Sequence, residues 1–231
     1  MLKKAIALYT GGKDSHYAII KALQSGVKVE ALISAVPENI DSWMFHTVNI
    51  KFVELHAHAM NIPIYMIGVS GIKEKEIKEL LNYLKHRVLP KHNYIDYIIS
   101  GATASRYQKE RVDFIAEELG LKHFAPLWGY DPVGLLGEEV TYISFIIVAV
   151  QALGLNSYWL GKLITSSNLS SFIEICRKFS INPVGEGGEI ETFVISSPLF
   201  RGHSIKIHKS LIKWYPELCY GYYIIKNASL T

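Results

Sequence analysis

Tyr9-Thr10-Gly11-Gly12-Lys13-Asp14-Ser15, directly behind the apolar run Ala5-Ile6-Ala7-Leu8, is the stretch on which the fold turns. A short apolar run that closes on two glycines and a cation describes a strand ending in an anion-binding turn. Gly11 and Gly12 permit positive φ and let an anion reach the backbone without meeting a Cβ. Asp14, Ser15 and the spacing of Tyr17, Ala18, Ile20 and Leu23 predict a helix from this loop to near Gly26. Phosphate oxygens would meet the positive end of that helix, with Lys13 adding a full charge. The spacing is not that of a Walker loop: no glycine lies five residues before the Gly-Lys pair, and Asp14 separates Lys13 from Ser15. A Gly-Gly turn before an ordinary helix cap is the plainer alternative. Seven specified positions at a strand-to-helix junction favour the nucleotide reading.

Bulk properties set the frame. A chain of 231 residues, 49% hydrophobic, supports one large domain or two unequal ones. The net charge of +3 comes from 24 basic and 21 acidic residues without any long block of one sign, so composition does not call for nucleic acid. Lys73, Lys75 and Lys78 interleave with Glu74, Glu76 and Glu79 as on a solvated helix face. Cys176 and Cys219 fit neither a metal knuckle nor a redox pair, which points to a reducing cytoplasm. Met1-Leu2-Lys3-Lys4 leads at once into the first strand, too short an apolar stretch for a signal peptide. Val140 to Leu155 approaches membrane-spanning length but falls short of the ~20 residues a bilayer requires. It is interrupted by Thr141, Ser144 and Gln151, and its β-branched centre reads as a buried strand.

Outward from the loop, strands and helices alternate. Strands are expected at Val29 to Val36, Ile62 to Ile67, Tyr94 to Ser100 and Leu121 to Ala125. Helices are expected around Phe52 to Met60, from Glu74 to Leu89 and from Arg106 to Leu119. This rhythm predicts an α/β fold with a mostly parallel, doubly wound sheet. Pro126 to Pro132 breaks the rhythm, dividing a segment 1–127 that carries the glycine loop from a smaller α+β segment 128–231. The second segment is expected to hold a short helix from Val133, a strand from Tyr142 to Val150 and a helix from Leu169 to Phe179. Strands at Thr192 to Ser196, Ser204 to His208 and Tyr220 to Lys226 complete it.

Ligands of open parallel sheets sit beyond the carboxyl ends of the strands, near the switch in strand order. Thr10 to Ser15, Ala35 to His46 and Gly101 to Ser105 should therefore converge. His46, in a loop after the second strand, is as readily structural as functional. Gly101 and Ala102 are small enough for close nucleotide approach, while Ser105, Gln108 and Arg111 recur on one helix face, where Arg111 could hold a phosphate or carboxylate. The strongest second signal is Gly185-Glu186-Gly187-Gly188-Glu189-Ile190-Glu191-Thr192. Three carboxylates among glycines make a poor helix and a costly core; in extended chain Glu189 and Glu191 would share a face. Such a cluster suits Mg²⁺, a cationic group or an ammonium ion, although an exposed loop has the same composition.

Together these segments resemble the diphthine–ammonia ligase family, a branch of the PP-loop ATP pyrophosphatases whose loop is usually Ser-Gly-Gly-Lys-Asp-Ser. The resemblance covers nearly the whole chain. It rests on Thr10 to Ser15, Met44-Phe45-His46, Gly101 with Ser105-Tyr107-Gln108 and Arg111, Pro126-Leu127-Trp128, Gly154-Leu155 with Trp159-Leu160-Gly161, and Gly185 to Thr192. Thr10 replaces the usual serine, and Ile190 the usual aromatic residue. The resemblance implies an adenine nucleotide alpha hydrolase-like fold and attack by the carboxylate of diphthine on the ATP α-phosphate. Pyrophosphate leaves, and ammonia displaces AMP. It implies ATP bound by Tyr9 to Ser15, His46, Gly101 and Ala102, with catalysis by Lys13, Asp14, Glu186, Glu189 and Glu191. Substrate would contact Ser105, Gln108, Arg111, Gly187, Gly188 and Thr192, and Asp14 is a candidate Mg²⁺ ligand. Expected partners are ATP, ammonium and elongation factor 2 bearing diphthine, with no membrane or nucleic acid, the chain acting alone or as a homodimer. A PP-loop enzyme of tRNA modification and an ATP or AMP sensor without turnover are the alternatives.

Overall fold

The computed structural model describes residues 2–38 and 48–231. His46 and the segment around it, from Ser42 to Thr47, lie outside the described residues. The first half is the expected parallel sheet: β1 (Lys3–Leu8), β2 (Val27–Pro37), β3 (Ile64–Val69), β4 (Tyr97–Ile99) and β5 (Lys122–Phe124), in the order β3-β2-β1-β4-β5. All four pairings are parallel. The helices between them are α1 (Lys13–Gln24), α2 (Val53–Met60), α3 (Lys75–Tyr83) and α4 (Arg106–Glu118). The order reverses at β1, whose neighbours are β2 and β4, so the loop after β1 stands at the switch point where such sheets bind ligands.

Period-two alternation on β1 divides the burial between two cores. Ala5 and Ala7 point to one face and Ile6 to the other, all fully buried. The Ile6 side packs under α3 and α4 through Ile77, Leu80, Val112 and Ile115. The Ala5–Ala7 side is continuous with the second half of the chain, where Phe145, Ile147, Phe193 and Phe200 join Tyr17, Val53 and Ala57 in one cluster.

That second half contains α5 (Pro132–Tyr142), β6 (Ser144–Gln151), α6 (Ser166–Phe179), β7 (Ile190–Ser196), β8 (Ile205–Tyr215) and β9 (Tyr220–Leu230). Its sheet is antiparallel in the order β7-β6-β9-β8. Val140 to Leu155 is resolved as the end of α5 and a strand buried from Phe145 to Val150. Among the described residues no helix is long and apolar enough to cross a membrane. Several expected boundaries move, two of them with a clear cause or consequence. Tyr142 ends α5 instead of starting β6, and β8 runs on past His208 to Tyr215. The register shifts around Lys209 break the alternation that a sequence reader follows.

Candidate active site

The glycine loop is set by two different constraints. Gly11 is left-handed at φ +79°, and a Cβ there would sit 2.8 Å from the Val53 side chain, so both conformation and space require glycine. Gly12 is not left-handed (φ −76°); it caps α1 without any side-chain cap. Of the two glycines, one therefore supplies the turn and the other leaves the Asp14 and Ser15 amides of α1 open to an anion, the Lys13 amide being taken by Thr192 Oγ1. Thr10 and Ser15 close the loop from within. The Thr10 amide donates to Ser15 Oγ at 3.3 Å, and Ser15 Oγ donates to the Gly12 carbonyl at 3.1 Å. Gly101, at the end of β4, is required by contact alone: a Cβ would lie 2.6 Å from the Ser15 nitrogen. The ends of β1 and β4 thus meet, as the sequence led us to expect, with buried Ala102 beside them.

Lys13 is fully buried, its ammonium 2.6 Å from Asp14 Oδ1 and 3.1 Å from Glu139 Oε2. The acidic neighbours hold its charge against burial and keep its pKa above the ordinary lysine value. Glu139 is equally buried, and burial pushes its carboxyl well above the usual range in opposition to Lys13. Neither of its oxygens makes a hydrogen bond of good geometry. Asp14 keeps 30% of its side chain exposed, so it is the solvent-facing partner of the lysine. Glu139 escaped the sequence reading. The signal was there: Leu135, Leu136, Glu139 and Ile143 form the buried stripe of α5 and its end, and a carboxylate in such a stripe needs a counter-charge.

The segment 185–192 reaches the loop from the antiparallel sheet. Glu186 accepts the Ser105 amide at 2.6 Å and the Thr103 hydroxyl, which binds it to the start of α4. Burial raises its pKa, the Ser105 amide opposes this, and Asp14 and Lys13 are near enough to act on it through charge. Thr192 Oγ1 accepts the Lys13 amide at 3.1 Å. Glu189 does not lie in extended chain with Glu191. Gly188 turns left-handed at φ +83° just before it, and its carboxylate folds back to accept the amides of Gly187 at 2.8 Å and Asn182 at 3.2 Å. Glu191 and Thr192 stand on β7, half-buried. Ile190 is core, paired with Val150 and packed under Gly185, so no stacking role falls to this position.

Ser105 caps α4 by accepting the Gln108 amide at 3.3 Å. Arg111 is turned away to Glu74, with Nη2 at 2.5 Å and Nε at 3.1 Å, and its guanidinium lies 3.9 Å over the Tyr107 ring. The structure brings Thr10 to Ser15, Gly101, Ala102, Ser105, Glu186 and Thr192 together. Arg111 stays in its own pair.

The Tyr9 side chain is 1% exposed and points away from the loop into a buried chain of hydrogen bonds. Its hydroxyl lies 2.8 Å from Nδ1 of both His16 and His56. His56 Nε2 faces the Val194 carbonyl at 2.7 Å, an acceptor only, so Nε2 carries that ring's proton. Tyr9 must then donate to His56 Nδ1 and accept from His16 Nδ1. His16 Nε2 is left to accept the Ser197 hydroxyl at 2.7 Å, and Ser197 Oγ in turn accepts the Leu199 amide at 3.1 Å. Every member is satisfied with both rings neutral. Burial pushes His56 down to about 3 and His16 well below its usual value, the latter helped by repulsion from His56. The chain joins β1, α1 and α2 to β7, where the Val194 amide also donates to the Gly11 carbonyl at 2.9 Å. The free edge of β7 is thus bonded to the glycine loop.

With this geometry in place, likeness to known proteins becomes specific. Family models described as the diphthamide synthase N-terminal and C-terminal domains match residues 3–123 and 131–231. Proteins named diphthine–ammonia ligase from Schizosaccharomyces pombe, Danio rerio and Homo sapiens are 32%, 31% and 31% identical over 94%, 86% and 86% of this chain. Those matches cover 38%, 84% and 80% of the relatives' own lengths, so the chain spans well under half of the fission yeast protein and most of the other two. A solved structure of a predicted subunit of tRNA methyltransferase from Methanocaldococcus jannaschii aligns with a TM-score of 0.44 at 15% identity, over 85% of this chain and 98% of that one, too distant to bear on function. A strand-order switch carrying Gly11 to Ser15, tied by Lys13 and Thr192 to an acidic segment of the second sheet, runs through both matched regions, and the chain belongs to the diphthamide synthase family.

Proposed function

We propose that this protein is a ligase that amidates diphthine on elongation factor 2 with ammonium, at the expense of ATP. The observation that carries the reading is the junction of the two halves. Lys13 and the open amides of α1 suit phosphates, while Glu186 and Thr192 bring the acidic segment to the same place. In this reading a diphthine carboxylate oxygen attacks the α-phosphorus and pyrophosphate leaves. Ammonia nitrogen then attacks the acyl carbon, AMP departs with the carboxylate oxygen, and the nitrogen gives up its extra protons to leave the amide.

Lys13 and the loop amides stabilise charge that grows on the phosphates. Holding the adenylate beside captured ammonia makes the second step effectively unimolecular. Glu186 and Glu191 are the carboxylates we assign to the ammonium side; Glu189 shapes their loop. Among the described residues no three His, Cys, Asp or Glu gather as a metal cage. Asp14, partly exposed beside the loop, suits a Mg²⁺ that keeps mostly phosphate and water ligands, and such an ion would neutralise phosphate charge. The two unpaired cysteines accord with action in the cytoplasm.

The test is an amidation assay with ATP, ammonium and diphthine-bearing elongation factor 2, reading the acid-to-amide mass change on the protein and the nucleotide products. AMP with pyrophosphate and an amidated factor are expected. AMP release stimulated by tRNA and not by the factor would move the chain to tRNA modification, and ATP binding without AMP under any substrate would make it a sensor.

A further inference from the structure

The chain's net charge of +3 is distributed unevenly. Residues 201–231 hold five basic residues (Arg201, Lys206, Lys209, Lys213 and Lys226) against one acidic residue, Glu217, a balance of +4. The remaining 200 residues balance to −1. The whole positive excess therefore sits on the β8–β9 ribbon and the turn that leads into it.

This ribbon also leaves apolar side chains uncovered beside its lysines. Residues 208–213 are exposed without a break, Leu211 and Ile212 at 44% and 46%, and Leu218 in the ribbon's turn at 68%. β8 is the outermost strand of its sheet, so along one side its backbone groups have no strand partner among the described residues. Lys206, Lys209 and Lys213 join no ion pair among the described residues.

The ribbon stands in register with the acidic segment. Glu191 pairs with Ala149, Ala149 with Tyr222 and Tyr222 with Lys213, so one row crosses the sheet from the active-site strand to the ribbon. Directly opposed residues project to the same face. Three strand spacings separate Glu191 from Lys213, about 14 Å. Two residues nearer the sheet end, Gln151 pairs with Tyr220 and Tyr220 with Tyr215, while the Gln151 amide donates to the Glu189 carbonyl at 2.8 Å. The acidic loop and the ribbon's turn therefore lie at one end of the same sheet.

From this placement we infer that the β8–β9 ribbon is the docking surface for the protein that presents the carboxylate to be amidated, gripping an acidic and partly apolar stretch of its surface; this rests on the function proposed above. A polypeptide partner fits better than nucleic acid for two reasons. Leu211, Ile212 and Leu218 offer apolar contacts between the lysines, and an unpaired strand edge offers main-chain hydrogen bonds that another polypeptide strand can complete. Lysines on an edge strand also guard against aggregation. The experiment separates that role from docking.

The full chain carrying Lys206→Glu, Lys209→Glu and Lys213→Glu keeps a charged edge, and it should bind ATP as the parent does. Binding of diphthine-bearing elongation factor 2 and its steady-state amidation are measured side by side, together with binding of bulk tRNA. The expected result is affinity for the factor weakened by about tenfold or more, with KM for the factor raised to match and kcat and the ATP KM retained. Parent affinity for the factor should also fall with added salt, a readout that holds even where the triple variant fails to fold. Equal affinity and KM in parent and variant, or parent binding indifferent to salt, would overturn docking and leave the lysines as edge guards. Loss of tRNA binding with factor binding intact would also overturn it, making the ribbon a nucleic-acid surface. A parent that binds the factor through these lysines but does not amidate it would sink the proposed reaction and leave the docking surface standing.

Discussion

Lys13 holds a full charge with none of its side chain exposed, between a carboxylate that water can reach and one that it cannot. Asp14 can be hydrated when the lysine is gone; Glu139 cannot. Breaking a buried pair leaves a stranded group and costs about 3–5 kcal/mol, while replacing both members with apolar side chains is commonly neutral or stabilising. We expect Glu139→Gln to lower stability by about 3 kcal/mol at neutral pH. The double variant Lys13→Met with Glu139→Leu should recover that loss and form no AMP, so that stability and chemistry part company. Guanidinium unfolding with AMP release on the same samples checks both halves; a double variant less stable than either single one would refute the argument. At this scale the sequence was a partial guide. Gly11, Lys13 and Gly101 announce themselves because a loop of glycines and a cation has few other uses. Glu139 is hidden inside a helical apolar pattern, and Arg111, for all its promise, is taken by Glu74, a partner 37 positions away that no local pattern reveals.

At the level of elements, β7 is what makes the glycine loop a site. Three contacts hold its edge there: the Val194 amide on the Gly11 carbonyl, the Lys13 amide on Thr192 and the Tyr9–His16–His56 chain. Alternation and spacing revealed nearly every strand and helix, because a parallel strand must be apolar on both faces and a covering helix on one. Those patterns do not reveal which strand docks edge-on against which loop. His16 and His56 looked like helix residues of no special note for the same reason. Their depressed pKa values have a definite sign. The unfolded chain takes up protons below about pH 6.5, while the folded chain does not until far lower, near 3 for His56. Stability is therefore whole above pH 6.5 and drains as the pH falls through the window beneath it, at about 1.4 kcal/mol per pH unit for each ring. Between pH 6.5 and 5 His56 alone removes about 2 kcal/mol, and His16 draws stability down in the same direction. Denaturant midpoints across that range, compared with a His16→Asn, His56→Asn variant whose slope should be shallower, would measure it; parallel slopes would exclude the pair as the source.

Taken as a whole molecule, the chain has two sheets but no clean seam between two cores. Ala5, Ala7, Tyr9, Tyr17 and Val53 from the first half are buried in the same cluster as Phe145, Ile147, Phe193 and Phe200 from the second. A segment ending at residue 127 would keep the side of the parallel sheet covered by α3 and α4, but on the side of α1 and α2 it would lose Phe145, Ile147, Phe193 and Phe200 from the cluster around Tyr9, Tyr17 and Val53, along with the Thr192 and Val194 bonds to the glycine loop. Exposed apolar surface on that scale is incompatible with a well-ordered soluble unit. The loop amides would also lack the strand edge that fixes them. We therefore expect residues 1–127 produced alone to bind a hydrophobic dye and show no saturable ATP binding, and co-production with residues 128–231 to restore both solubility and nucleotide affinity. Calorimetric titration of ATP into each preparation decides it. If 1–127 alone bound ATP with the affinity of the full chain, the loop would be self-sufficient, and the hydrogen bonds from β7 would have to be reassigned from forming the phosphate site to orienting the acidic segment against it.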